Sequence, residues 1–480
     1  MNNNVNVLVI QADHWFAELL GIAGHPVIMT PTLNELAMNG IHFTNCYSEC
    51  PICVPARRTL MTGLKPKTHG DRVFNETLPM PPVKTLAQSF RDAGYQAYAV
   101  GKLHVMPQRS RIGFDDVILQ EEGRYQYDVI DDYQIWLGDQ NVTGQEFLHG
   151  MGTNEYVTRP WHLPEYMHPT NWATNQMIRM IKRKDPSRPA FYYLSYIFPH
   201  PPLVPLSVYE NMYSLDEIDK PYIGEWINED IPKLRQWHTK ARKYSNKEIL
   251  MARRAFYAQC THIDHQIRLL IGTLREEKIL DNTVILFTSD HGDMIFNHQL
   301  AFKSMMYENS AHIPLIISGK PVSSFRGKDE RLVCLADIMP SLLEICGIGI
   351  PSSVEGYSFF SQNKHSILYG EFGEGIQATR MIHDGRHKLI YYPMGNYTQL
   401  FDLAKDPHEL HNIVSDPEYS AVLKKLKFFL IENLYGSDNK WLSNGELIGL
   451  PAENDVFKPN YDLHNQRGGH WPPPVGSKNE

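Results

Sequence analysis

The chain has 480 residues, with 46 basic and 54 acidic side chains giving a formal charge of −8; 42% of its residues are hydrophobic and 21% charged. This composition can bury a large core, which excludes a disordered chain, a collagen-like repeat or a disulfide mini-scaffold. At ~150 residues per domain the length suits about three domains, or one large α/β domain with a small companion, and mild acidity spread along the chain argues against nucleic acid as the main partner.

In chain order, Val5–Ile10 is nearly all apolar and β-branched, as a strand covered on both faces should be. Thr30-Pro31 supplies a cap and a first-turn proline for a helix through Ala37, stopped at Gly40. A helix over Val83–Ala93 with Gly94 behind it precedes a strand at Tyr95–Val100. Further strands are expected at Ala190–Phe198, Thr283–Thr288 and Ile313–Ile317, with a long amphipathic helix from Asn246 to Lys278 ahead of the second of these. Alternation of strands and helices predicts an α/β fold: a large, mainly parallel sheet flanked by helices. After about residue 365 short strands at Ser366–Tyr369, Lys388–Tyr392 and Gln399–Asp402, then a helix over Pro417–Leu434, suggest a small antiparallel unit. The expected organisation is therefore a catalytic domain at 1–365, a C-terminal α+β subdomain at 366–450 and an extended Pro/Gly-rich tail at 451–480. Such a tail either stays loose or wraps a neighbouring surface, and the second alternative implies a homo-oligomer.

The residues at the strand ends carry the first functional evidence. The successive runs are Gln11-Ala12-Asp13-His14, Gly101-Lys102-Leu103-His104, Pro199-His200-Pro201-Pro202 and Ser289-Asp290-His291-Gly292-Asp293. Open α/β sheets bind ligands at the carboxyl ends of their strands, so these four ends should converge on one site.

Three of the six cysteines crowd together as Cys46-x3-Cys50-x2-Cys53. One reading is a [4Fe–4S] site of the radical S-adenosylmethionine type. Against it, Ile52 stands where those enzymes usually have an aromatic residue, and Pro55 and Arg57 gain no meaning. Three unrelated cysteines near a helix start are the plainest alternative.

The third reading begins at Cys53-Val54-Pro55-Ala56-Arg57 with Thr62-Gly63 beyond. This resembles the signature of the formylglycine-dependent sulfatases, part of the alkaline phosphatase superfamily. Other segments appear in that family's order: Asp13, Thr30-Pro31-Thr32-Leu33, Gly40-Ile41-His42-Phe43, Gly101-Lys102-Leu103-His104, Pro199-His200, Asp290-His291-Gly292-Asp293 and Lys303. Met306-Tyr307-Glu308, Ile313-Pro314-Leu315-Ile316 and Leu400-Phe401-Asp402-Leu403 with Asp406-Pro407 and Glu409 extend the match over roughly residues 5 to 415.

The resemblance implies hydrolysis of a sulfate ester. Cys53, oxidised to formylglycine (3-oxoalanine) by a separate maturation enzyme, would present a hydrated aldehyde whose one hydroxyl attacks sulfur while the second allows sulfate to be expelled. It further implies a divalent ion, usually calcium, held by Asp13, His14, Asp290, His291 and residue 53. His14 departs from the acidic or amide residue common at that place, and two imidazoles suit manganese or zinc better than calcium. His14 as a group behind the ligands is the alternative. Arg57, one turn after residue 53, would orient the nucleophile and offset charge. Lys102 and His104, read as alternating on a strand end, would face one side: Lys102 on the sulfuryl group, His104 as the base that starts sulfate release. His200, between prolines, would contact the sulfate and the leaving oxygen, and Lys303 would be the acid or a sulfate ligand opposite. Asp293, His298, Tyr307 and His312 are read as neighbours of the site without assigned roles, and His262 and His265 as helix-face residues. The aromatic and acidic stretch around Tyr125–Trp161 is expected to shape the substrate pocket.

No run of ~18 apolar residues predicts a membrane span. The uncharged start Met1-Asn2-Asn3-Asn4 is not a secretory signal, so a cytoplasmic protein is expected unless a signal has been removed. Its substrate is then a small-molecule or saccharide sulfate ester. A phosphonate monoester or phosphodiester hydrolase of the same superfamily is the rival, favoured by the His14/His291 pair and disfavoured by Lys102 with His104.

Overall fold

The computed structural model describes residues 5–122, 129–229 and 231–453. β1 (Asn6–Ala12) is buried along its whole length. Its alternate side chains enter two cores: Leu8, Ile10 and Ala12 pack on one face of the sheet, Val7 and Val9 on the other. That is why the strand reads as an unbroken apolar run.

The described strands of the main sheet are β1, β2 (Gly40–Tyr47), β3 (Gln96–Gly101), β4 (Asp116–Leu119), β5 (Ala190–Ser195), β6 (Thr283–Ser289), β7 (His312–Ser318), β8 (Gly327–Asp329) and β9 (Val333–Cys334). They run in the order β4-β3-β5-β1-β6-β7-β2-β8, with β9 also on β2. From β4 to β6 every pairing is parallel. β7 is antiparallel to both β6 and β2. The fold is thus α/β with a large, mostly parallel mixed sheet, as the alternation of elements predicts. The helix Asn246–Glu276, opened by a Ser245/Glu248 capping box, covers one face. The opposite face carries the helices Cys53–Thr62, Leu86–Asp92 and Ile338–Ile345.

Near the C-terminus β10 (Leu368–Phe372), β11 (Thr379–His383), β12 (His387–Tyr392) and β13 (Tyr397–Asp402) form a separate antiparallel meander. The helix Ser420–Asn433 packs on it through Leu426 and Leu430. Lys388 of β12, fully buried, makes ion pairs of 2.6 Å to Glu409, beyond β13, and to Glu308, in the short helix that leads into β7.

Some expectations need revision. The Ala190–Phe198 strand ends at Ser195, because Pro199, Pro201 and Pro202 cannot continue a ladder. β2 begins at Gly40 itself, where the sequence pattern indicates only a helix stop. A Cβ on Gly40 would lie 2.2 Å from the Ile317 carbonyl oxygen, so the glycine lets β2 pass close to β7. β11 has no counterpart among the expected strands. Residues 454–480 of the anticipated tail lie outside the described residues. Among the described residues no helix is long and apolar enough to cross a membrane.

Candidate active site

The carboxyl ends of β1, β3, β5 and β6 meet beside the first turn of the helix Cys53–Thr62, and one guanidinium ties them together. Arg57, buried, donates from Nε to Asp290 Oδ2 (2.9 Å), from Nη1 to the Lys102 carbonyl (2.8 Å) and Ser195 Oγ (2.7 Å), and from Nη2 to Asp13 Oδ2 (3.2 Å). Only a planar donor with this reach serves four chain segments at once. Its role is wider than the sequence expectation: it is the brace of the site.

Cys53 Sγ lies 3.2 Å from His291 Nε2 and 3.8 Å from Asp13 Oδ1. His291 Nδ1 donates to the Gly292 carbonyl (2.9 Å), so the proton shared with Cys53 sits between Sγ and Nε2. Burial resists thiol ionisation and Asp13 adds to that, but Lys102, Lys303 and His291 outweigh both and lower the Cys53 pKa. Burial would lower that of His291, yet Asp290 and Cys53 raise it. Gly292 is forced by packing: a Cβ there would stand 2.0 Å from the Asn309 carbonyl oxygen.

Ligand atoms of Asp13, His14, Cys53 and His291, all buried, lie within 4.8 Å of one another. Burial disfavours the Asp13 carboxylate, but the cationic Lys102 and Arg57 prevail and hold it well below the usual range. A buried carboxylate, a thiol and two imidazoles converging in this way fit a divalent cation. Asp290 stands at the edge of the group: Oδ2 takes Arg57, Oδ1 takes the His291 amide (3.0 Å), and Oδ1 is 3.8 Å from His291 Nε2.

Lys102 and His104 are not on a strand. β3 ends at Gly101, whose φ of 98° turns the chain; a Cβ there would lie 1.9 Å from the Ser195 carbonyl oxygen. Alternation therefore does not set their directions. Lys102 Nζ is 2.6 Å from Asp13 Oδ2 and also pairs with Glu122 Oε1. His104 takes a left-handed φ of 57°, its amide donates to Glu121 Oε1 (3.0 Å) and its ring meets Phe74 edge-on. Backbone strain of this kind gathers at functional sites.

On the other side Lys303 Nζ donates to His14 Nε2 (2.6 Å) and lies 3.1 Å from His200 Nε2. His200 Nδ1 donates to the Pro201 carbonyl (2.5 Å), which leaves the Nε2 lone pair toward the lysine. Burial first, then Lys303, pushes His200 down to about 3 and His14 well below its usual value. Both imidazoles are neutral at pH 7.

A small, mainly apolar pocket opens beside His200 and Glu122, walled by Phe147, Met151, Trp161 and Phe198. The stretch around Tyr125–Trp161 supplies part of this wall through Phe147, Met151 and Trp161; Tyr125 and Tyr127 lie outside the described residues. Glu122, Glu121, Ser195 and Tyr156 are site residues that the sequence does not reveal. Of the unassigned neighbours, Asp293 touches His14 (2.6 Å). His298 and Tyr307 instead pack with Trp226 toward the C-terminal sheet, and His312 pairs with Glu308. His262 is buried on its helix against Tyr209 and His168. Cys46 lies within β2 and packs in the core, and among the described residues no donor group unites Cys46, Cys50 and Cys53, so the iron–sulfur reading has no site.

Residues 5–348 match the family model described as sulfatase, and residues 297–434 match that of the N-sulphoglucosamine sulphohydrolase C-terminal region. The chain is 34% identical over 472 residues to an arylsulfatase of Clostridium perfringens, covering 93% of this chain and 98% of that protein. It is 27% identical over 435 residues to a choline-sulfatase of Rhizobium meliloti, covering 86% and 83%. Among solved structures it resembles a phosphonate monoester hydrolase of Agrobacterium radiobacter, with a TM-score of 0.75, 22% identity and coverage of 89% and 95%. A sulfatase-like protein from Bacteroides thetaiotaomicron aligns with a TM-score of 0.70, 20% identity and coverage of 91% and 94%.

Proposed function

Since the chain belongs to the sulfatase family and is a sulfuric ester hydrolase, we propose that it cleaves the S–O bond of a small sulfate ester with residue 53, oxidised from cysteine to formylglycine, as nucleophile. The observation that carries this reading is the position of Cys53: the first residue of a helix, its Sγ 3.2 Å from His291 and 3.8 Å from Asp13, in the motif Cys53-Val54-Pro55-Ala56-Arg57. A separate maturation enzyme is needed for the oxidation.

Asp13, His291 and residue 53, with Asp290 and His14 beside them, would hold a divalent cation, which supplies Lewis-acid activation of the attacking oxygen and neutralises sulfuryl charge. The donor set, with two imidazoles, favours manganese or zinc over calcium. Lys102 balances the sulfuryl oxygens from one side. Lys303 donates its proton to the leaving oxygen as the S–O bond breaks; the His200 Nε2 lone pair holds that amine in place, while the single Nε2 lone pair of His14, which takes Lys303 in the structure, would pass to the cation. His104 accepts the proton whose loss releases inorganic sulfate and regenerates residue 53. Arg57 keeps Asp13 and Asp290 in place throughout.

A second reading, hydrolysis of a phosphonate monoester, is supported by the Asp/His donor set and by the shared fold. The test is the ratio of kcat/KM for an aryl sulfate and a phenylphosphonate monoester, on matured protein and its Cys53→Ala variant. Preference for sulfate, lost in the variant, is expected; preference for the phosphonate would reassign the enzyme.

A further inference from the structure

We propose that Asp293 and Tyr156 are positioning residues that fix His14 in one tautomer, with Nδ1 protonated and the Nε2 lone pair presented beside Asp13. This rests on the proposed cation site and adds what determines the orientation of its most unusual donor.

Asp293 Oδ1 accepts from the Ile295 amide (2.8 Å), which can only donate. Asp293 Oδ2 lies 2.6 Å from His14 Nδ1 and also takes the Tyr156 hydroxyl proton (2.5 Å). A carboxylate is an acceptor on every lone pair, so the proton on this His14–Asp293 contact belongs to Nδ1. Nε2 then has its lone pair free for Lys303, 2.6 Å away, or for a cation. The Tyr156 oxygen in turn accepts from the Phe302 amide (2.9 Å), immediately before Lys303. One hydroxyl thus anchors both the carboxylate behind His14 and the segment that carries Lys303. His14, Asp293 and Tyr156 are all buried, and His14 has a left-handed φ of 73°, so the ring has no solvent-exposed alternative. Hydrogen bonds to the far nitrogen of a ligating histidine set its tautomer and orientation in this way.

Asp293→Asn is the informative change, because it keeps the shape and reverses one end. The amide oxygen must stay on the Ile295 N–H, so the NH2 faces His14 Nδ1 and the Tyr156 oxygen. His14 is then forced to carry its proton on Nε2, and the lone pair disappears from the site.

The experiment uses the full chain with unmodified Cys53 and no substrate, so that it is independent of turnover. Long-range 15N correlation spectra, with His14 assigned by subtraction of a His14→Gln spectrum, should show the Nδ1–H form in the native protein and the Nε2–H form in Asp293→Asn. Titration with Mn2+ alone should show affinity falling by about 10- to 100-fold. An unchanged tautomer together with Mn2+ affinity within about twofold of native would overturn the proposal. If Asp293→Asn does not fold, Tyr156→Phe decides: it should keep the Nδ1–H form, lose the Phe302 anchor and bind Mn2+ severalfold more weakly, and native affinity there would count against the proposal. Should the tautomer and affinity behave as stated while the native enzyme hydrolyses no sulfate ester, the functional reading fails and this one stands.

Discussion

Lys303 Nζ lies 2.6 Å from Nε2 of the buried His14, and the proton between them belongs to the lysine because His14 Nδ1 is engaged by Asp293. His200 repeats the arrangement from the other side, with Nδ1 on the Pro201 carbonyl and Nε2 toward the same ammonium. When a cation takes the single Nε2 lone pair of His14, the Lys303 amine keeps the His200 acceptor and stands ready to turn toward a leaving oxygen. Lys303→Ala should therefore slow esters with poor leaving groups far more than activated aryl esters. A comparison of an alkyl sulfate with a nitrophenyl sulfate checks this: a loss of ~10²-fold or more is expected for the alkyl ester, and equal losses on both would remove the acid role.

Arg57 links Asp13, Asp290, Ser195 and the Lys102 carbonyl. Lysine has the charge but not the planar fork. Arg57→Lys is expected to lower kcat/KM by at least ~10²-fold through loss of alignment. Arg57→Ala, which leaves two buried carboxylates without their brace, should cost about 3–5 kcal/mol by urea denaturation. Native kinetics in Arg57→Lys would show that the brace is dispensable.

His168 caps the helix Pro169–Lys182, accepting at Nδ1 from the Thr170 amide and donating from Nε2 to the Val204 carbonyl, both at 3.2 Å. Burial holds its pKa at about 3, below the ordinary 6.5. The folded state thus refuses a proton that the unfolded chain accepts. The contribution is fully present above pH 6.5 and is lost as pH falls from 6.5 toward 3, by up to about 1.4 kcal/mol per pH unit. Burial shifts His262, beside it, in the same direction. His168→Asn should flatten the stability slope between pH 6.5 and 5; an unaltered slope would sink this assignment.

Lys388 bridges Glu308 and Glu409. Lys388→Met would leave two carboxylates facing one another without the cation. A loss of about 3–5 kcal/mol is expected in chemical denaturation, partly rescued by Glu409→Gln. No loss in the single variant would show that the two glutamates need no counter-charge.

Much of the site is legible in the sequence because parallel sheets place their chemistry at strand ends. Asp13, Lys102, His200, Asp290 and His291 come directly after apolar runs that periodicity identifies, and the structure brings all five to one site. β2 and β11 escape that pattern for a physical reason: each is bordered by residues that also suit turns, and β2 holds polar His42, Thr44 and Asn45 on its partly exposed face. The Lys102/His104 geometry departs from strand alternation because Gly101 ends β3 with a positive φ, which no alternation rule registers. Glu122 and Tyr156 reach the site from irregular segments, where sequence spacing has no fixed relation to direction. Asp293 is visible as a neighbour, but its function depends on which of its oxygens faces His14, a matter of tertiary packing.

The most direct test of residue 53 as the nucleophile joins peptide mass to turnover on one preparation. Produced with a formylglycine-generating enzyme, the peptide carrying residue 53 should show the mass of the aldehyde, and activity on an aryl sulfate should rise in proportion to that fraction and vanish in Cys53→Ala. Sulfate-ester activity that is undiminished in Cys53→Ala, or independent of the oxidised fraction, would contradict that assignment.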